Sequence, residues 1–132
     1  MLLDKPVLIL LVEDEPIMLI HAQDALEDGG YTVVEASSGE DAIQLLSQQG
    51  DQIIGLVTDV RLGKGMNGWD VARRAREQKA SLPVVYLTAE SAEDWAAQGV
   101  PKSLLVQKPY APAQLLTAIS TLINEASANA AG

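Results

Sequence analysis

Three acids, one hydroxyl and one ammonium stand where short apolar runs of this sequence end, and together those groups suit phosphoryl chemistry. Val7 to Val12 runs into Glu13, Asp14 and Glu15; Leu56 to Thr58 into Asp59; Pro83 to Leu87 into Thr88; and Leu104 to Gln107 into Lys108 and Pro109. A side chain at the end of a buried parallel strand is rigidly held yet opens to solvent, so a lone Asp59 there can act as a nucleophile or a metal ligand. Glu13, Asp14 and Asp59 brought together would repel, by about 4 kcal/mol for two charges ~4 Å apart at an effective dielectric near 20. A cation offsets that repulsion. Mg²⁺ suits best, because it prefers oxygen ligands, keeps several waters and accepts one or two carboxylates plus a phosphate oxygen. Lys108, Thr88 and the amides of a strand-to-helix turn add donors for phosphoryl oxygens. The combination describes phosphoryl transfer onto Asp59, giving an acyl phosphate.

The rest of the chain supplies elements to hold these groups. Val7 to Val12 is apolar without alternation, as a strand covered on both faces requires. Pro16 suits a first helical position, with Asp14 or Glu15 as cap; Met18, Leu19, Ala22, Ala25 and Leu26 recur at helical spacing, and Gly29 and Gly30 close the helix. Tyr31 to Ala36 reads as a strand whose Glu35 suits a sheet edge. Ser38 with Asp41 marks a helix start, followed by an apolar face of Ala42, Ile43, Leu45 and Leu46. Ile53 to Thr58 is the strand that delivers Asp59. Leu62 to Gly68, LGKGMNG, holds three glycines in seven residues; such a loop can curl around a phosphate or metal, or simply turn sharply. Helices follow over Trp69 to Lys79, over Ser91 to Gln98 with a Ser91 and Asp94 start and a Gly99 stop, and from Pro112 through Leu115, Leu116, Ile119, Leu122 and Ile123. From Ala126 to Gly132 no apolar period remains, and fraying is expected.

Five strands alternating with five helices imply an α/β doubly wound parallel sheet with helices on both faces. Ligands of such sheets sit at the strand C-terminal ends where strand order reverses, so the acids of the first and third strands meet there if those strands are neighbours.

At 132 residues one domain is expected, over residues 1–125 with a tail at 126–132 and no output domain. A net charge of -9 argues against nucleic acid, which needs clustered cations, so Arg73, Arg74 and Arg76 read as a solvated helix face. No cysteine is present, which excludes disulfides and thiolate chemistry. The single histidine, His21, falls mid-helix and reads as solvated or satisfied rather than as a ligand. The first apolar run is too short for a signal sequence or a membrane span of ~20 residues, so a cytoplasmic location without membrane contact is expected.

EDE at 13 to 15 after an apolar strand, TDV at 58 to 60, YLTAE at 86 to 90 and QKPY at 107 to 110 resemble, in order and strand context, the response-regulator receiver domain of bacterial two-component signalling. The resemblance spans roughly Val7 to Ile123 and is closest in kind to the chemotaxis-regulator-like, stand-alone form. It implies a flavodoxin-like five-stranded parallel sheet in order 2-1-3-4-5, with Asp59 as the phosphorylated residue. Asp14, Asp59 and the backbone carbonyl of Arg61 would bind Mg²⁺ directly, with Glu13 acting through water. Lys108 would hold a phosphoryl oxygen, and Thr88 would move toward the phosphoryl group. The donor would be a phosphohistidine on a histidine kinase or histidine phosphotransfer protein. Output would be phosphorylation-dependent binding of a downstream target protein, or phosphorelay.

Three departures from the family pattern stand out. Glu13 occupies a position more often held by Asp, and its extra methylene could bring the carboxylate onto the metal or displace a water. The loop after Asp59 is longer and richer in glycine, which implies greater mobility. Leu105 stands where the family carries its switch aromatic, leaving Tyr86 and Tyr110 as substitutes or as plain packing residues.

Two local expectations come from spacing. Arg61, two residues after Asp59, and Glu90, two after Thr88, should either pair across the site mouth and limit water's approach or remain two solvated charges. Ile17 and Ile20 lie outside the core set of the first helix, and either meet the phosphodonor's helices or pack on the last helix. Two other functions are conceivable. A magnesium-dependent phosphohydrolase would need a second acid where Arg61 stands, and a non-reacting flavodoxin-like binder has no need of Asp14, Asp59, Thr88 and Lys108 together.

Overall fold

The computed structural model describes residues 6–90 and 93–131, with side chains through Ala128. Its elements alternate: β1 (Leu8–Val12), α1 (Pro16–Asp28), β2 (Val33–Ala36), α2 (Gly39–Gln49), β3 (Ile53–Asp59), α3 (Gly68–Gln78), β4 (Val84–Thr88), α4 (Glu93–Gln98), β5 (Leu104–Gln107) and α5 (Pro112–Ala131). The strands form one five-stranded sheet in the order β2-β1-β3-β4-β5, and every pairing is parallel.

Successive residues of a strand face opposite sides, and both sides are covered. Leu8, Leu10, Val12, Leu56, Val84 and Tyr86 pack with α2 and α3, whereas Ile9, Leu11, Val57, Val85 and Leu87 pack with α1 and α5. Every residue of β1 is buried, which is why its sequence shows no alternation. Glu35 is exposed on the edge strand β2, where a charge costs little and discourages further pairing.

Local signals set most helix ends. Ser38 Oγ accepts from the Asp41 N–H at 3.1 Å, and Asn67 and Asp70 form a reciprocal capping box at α3; each such cap contributes about 1 kcal/mol. Glu15 is the N-cap residue of α1, but its side chain makes no cap bond. Its N–H instead donates to Glu13 Oε2 at 3.3 Å. The helix start expected at Ser91 lies outside the described residues; α4 is described from Glu93 and none of its residues is buried. It is tied down by the Trp95 indole donating to Ser103 Oγ at 2.9 Å and by Arg73 donating to the Gln98 carbonyl at 3.1 Å.

From Ala126, where fraying is expected, the backbone is helical to Ala131 as the end of α5. The segment ASANAA lacks an apolar face, but its alanines carry high intrinsic helix propensity, which sustains a helix already nucleated by packing upstream.

Candidate functional site

Sheet register brings the acids together. Val12 pairs with Thr58 across β1 and β3, so the next residues, Glu13 and Asp59, leave the two neighbouring strands at the same level. Carboxylate oxygens of Glu13, Asp14 and Asp59 all lie within 4.8 Å of one another. Glu13 and Asp59 are buried and Asp14 is exposed, so the cluster is walled by protein on one side and open on the other. Backbone bonds carry the sheet's order past the strand ends: the Val60 N–H donates to the Leu87 carbonyl at 3.0 Å, and the Lys108 N–H to the Thr88 carbonyl at 2.7 Å.

Lys108, just beyond β5, reaches across to the acids. Its Nζ donates to Asp59 Oδ2 at 2.9 Å and to Glu13 Oε1 at 3.0 Å. Burial would lower the Lys108 pKa, but the bonds and charges of Asp59 and Glu13 outweigh it and hold the ammonium above its ordinary value. Glu13 is raised as well, which for a carboxylate favours the neutral form. Burial pushes it up to about 7, the hydrogen bond from Lys108 pulls it down, and the charge of Asp59 adds to the rise. One ammonium thus serves two carboxylates, and the third, Asp14, faces solvent.

The oxygen-only cluster fits a small hard dication. Three carboxylates meet there, no thiol exists in the chain, and His21 is engaged elsewhere, its ring 5.2 Å from that of Tyr110. Such a donor set suits a magnesium-like ion better than zinc.

Thr88 ends β4, one residue beyond the partner of Asp59. It is buried, and its Oγ1 accepts from the Glu90 N–H at 3.1 Å. Arg61 and Glu90 do pair across the mouth, Nη2 to Oε1, with side chains 78% and 44% exposed. The expected pairing is therefore present, at a solvated position.

The aromatic candidates resolve as packing residues. Leu105 pairs with Tyr86 across β4 and β5. The Tyr86 ring lies 4.5 Å from that of Trp69, and its hydroxyl accepts from the Val100 N–H at 3.1 Å. Tyr110 is buried beside α1 and α5, where burial raises its hydroxyl to about 12. Among the described residues that hydroxyl has no hydrogen-bond partner.

One residue near the site gave no sequence signal. Glu40, in the first turn of α2, accepts from the Met66 N–H at 3.0 Å and so holds the glycine-rich loop. The contact joins positions 26 apart, and no local pattern announces it.

Comparison with known proteins agrees with this geometry. The family model described as "Response regulator receiver domain" matches residues 9–120. Response regulator SaeR of Staphylococcus aureus is 32% identical over 117 residues, which cover 87% of this chain and 50% of that protein; the chain thus spans about half the length of the curated relatives it matches. A response regulator receiver protein from Sinorhizobium medicae superposes with a TM-score of 0.88 at 43% identity, covering 92% of this chain and 98% of that one. A receiver domain protein from Clostridium thermocellum gives 0.81 at 26% identity, with 92% and 97% covered.

Proposed function

The chain belongs to the response regulator receiver domain family, a phosphoacceptor signalling module rather than a classical enzyme, and from that premise we propose that Asp59 is its phosphorylated residue. The observation that carries this is the Lys108 ammonium seated on Asp59 and Glu13 inside the three-carboxylate cluster. The donor is a phosphohistidine on a histidine kinase or phosphotransfer protein. An Asp59 oxygen attacks phosphorus as the P–N bond breaks, and the bonding pair returns to the imidazole nitrogen.

Asp14, Asp59 and the Arg61 backbone carbonyl would hold Mg²⁺, with Glu13 acting through water. When bound, the ion supplies charge neutralisation to the phosphoryl oxygens. Lys108 already lies within hydrogen-bond distance of Asp59, so a phosphoryl oxygen built on that carboxylate comes within its reach. Thr88 supplies a hydroxyl donor from the adjacent strand. Intact mass after incubation with acetyl phosphate tests the reading: one phosphoryl group is expected with Mg²⁺ present and none with EDTA. A hydrolase reading is disfavoured, because the position for a second acid is Arg61, already paired with Glu90.

The Arg61–Glu90 pair is proposed to limit water's approach to phosphorylated Asp59. Dephosphorylation of Arg61→Ala, Glu90→Ala and the double variant should each be faster than the unsubstituted chain, by roughly twofold to fivefold for an exposed pair. The double variant should match the faster single one; strictly additive effects would remove the gate.

Ile17 and Ile20 are 76% and 56% exposed, so neither packs on α5. Their place on the first turns of α1, beside the acids, suits docking of the phosphodonor, whose docking surface would bury them. Ile17→Ser should slow transfer from the cognate donor about tenfold and leave acetyl phosphate labelling unchanged; equal loss with both donors excludes docking. A downstream target protein completes the proposed circuit. Among the described residues no helix is long and apolar enough to cross a membrane.

A further inference from the structure

We infer that Glu40 is a positioning residue for the cation site, acting through the glycine-rich loop that it holds against Asp14. The inference rests on the proposed role of Asp14 and Arg61 as metal ligands.

The loop leaves β3 through Arg61 and enters α3 at the Asn67 cap, with Gly63 at φ +71° and Gly65 at φ +91° on the way. Two left-handed glycines so close together give the unfolded loop many conformations, and ordering it costs roughly 1–2 kcal/mol per residue in backbone entropy. A flanking anchor therefore decides where it rests. The α3 cap fixes one end. Leu62, buried in the core, fixes the other end, and the Gly68 N–H donates to the Val60 carbonyl at 2.8 Å to close the loop's base. Between these ends the one side-chain tie among the described residues is Glu40, whose Oε2 accepts from the Met66 N–H at 3.0 Å.

The fit around that bond is close on both sides. A methyl group on Gly65 would sit 2.7 Å from Glu40 Oε2 and 3.1 Å from Oε1, and one on Gly39 would sit 2.7 Å from Met66 Cβ. The carboxylate thus lies against the Gly65 backbone while the start of α2 abuts Met66. Farther up the loop, Gly63 reaches Asp14: a methyl there would lie 3.3 Å from Asp14 Oδ2. Asp14 is the exposed member of the cluster and Lys108 does not contact it, so the loop backbone is its neighbour on that side. Freeing Met66 lets Gly63 retreat and gives Asp14 more orientations to lose on binding a cation, whereas Arg61 stays held by its neighbour Leu62 in the core. The loop that its composition marks as mobile is strapped at Met66, three residues beyond the point where it meets Asp14.

The test uses the full chain and Mg²⁺ alone. Calorimetric titration should show Glu40→Ala binding Mg²⁺ about threefold to tenfold more weakly than the unsubstituted chain, the range expected for losing one such bond. Glu40→Gln, whose amide oxygen still accepts from the Met66 N–H, should stay within about twofold. Amide exchange at Met66 should accelerate only in Glu40→Ala, and unchanged thermal midpoints establish that both variants are folded. Glu40→Ala binding as tightly as the unsubstituted chain overturns the inference. So does Glu40→Gln binding as weakly as Glu40→Ala, since that would make the carboxylate's charge the determinant. An unsubstituted chain that binds no Mg²⁺ instead defeats the metal assignment of the preceding section, and this inference with it.

Discussion

Asp59→Asn, incubated with Mg²⁺ and acetyl phosphate, should gain no phosphoryl group under conditions where the unsubstituted chain is expected to gain one. The amide is nearly isosteric with the carboxylate but lacks the anionic lone pair that attacks phosphorus, so labelling should fall by on the order of 10³ or more. The fold should survive. Asp59 sits between Lys108 and the two other acids, and neutralising it removes repulsion on Glu13 while leaving the Lys108–Glu13 bond in place. Intact mass and far-ultraviolet circular dichroism on the same sample separate loss of the acceptor from loss of structure. Labelling near the unsubstituted rate would move the acceptor to another carboxylate.

Lys108→Met should damage both chemistry and stability, and the two effects have different signatures. Removing a preorganised ammonium from a site where phosphoryl charge develops slows labelling by roughly 10² to 10³. The stability effect depends on pH through Glu13. Its folded-state pKa of about 7 lies above the ordinary value of 4.5, so between those values the folded chain holds more protons than the unfolded one. Stability therefore falls as pH rises through that window. Lys108 opposes this by favouring the Glu13 carboxylate. Without it the Glu13 pKa climbs further, and the loss continues above neutral pH. The variant's deficit should be smallest near pH 5, where the lost Asp59 contact is its main source, and should widen by about 1–3 kcal/mol at mildly alkaline pH, as expected for a buried carboxylate left without its partner. Denaturant unfolding across that range measures it; an offset that is the same at every pH would exclude Glu13 as its source.

The sheet was legible because both its faces are covered. A run such as LILLV, with every residue buried, has one reading at five residues, and the charge at Glu35 located the edge. The acids were legible because each follows such a run. The Arg61–Glu90 pair came from equal offsets on neighbouring strands, which is arithmetic that a parallel register preserves. Spacing gave less elsewhere. Whether Ile17 and Ile20 pack or stay exposed depends on where α5 lies, a long-range fact. The protonation of Glu13 depends on burial to 1% and on a lysine 95 positions away. Glu40 carries no sequence mark of its loop contact, since an acid in a first helical turn already suits the helix dipole and Met66 lies 26 positions away. The helical backbone of α5 beyond Ile123 carries no amphipathic period, because alanine favours helix without one.

The short α4 helix has an energetic consequence. None of its residues is fully buried, and it is held by polar ties at Trp95 and Gln98 together with the packing of the half-buried Trp95 ring on the core. Its one apolar anchor is Trp95, partly buried against the core, so releasing it exposes a single aromatic side chain and costs less than opening a buried element. It also begins three residues after Glu90, in the segment that follows Thr88 directly. A shift at the end of β4 can therefore be taken up by α4 while the central strands, buried on both faces, keep their packing.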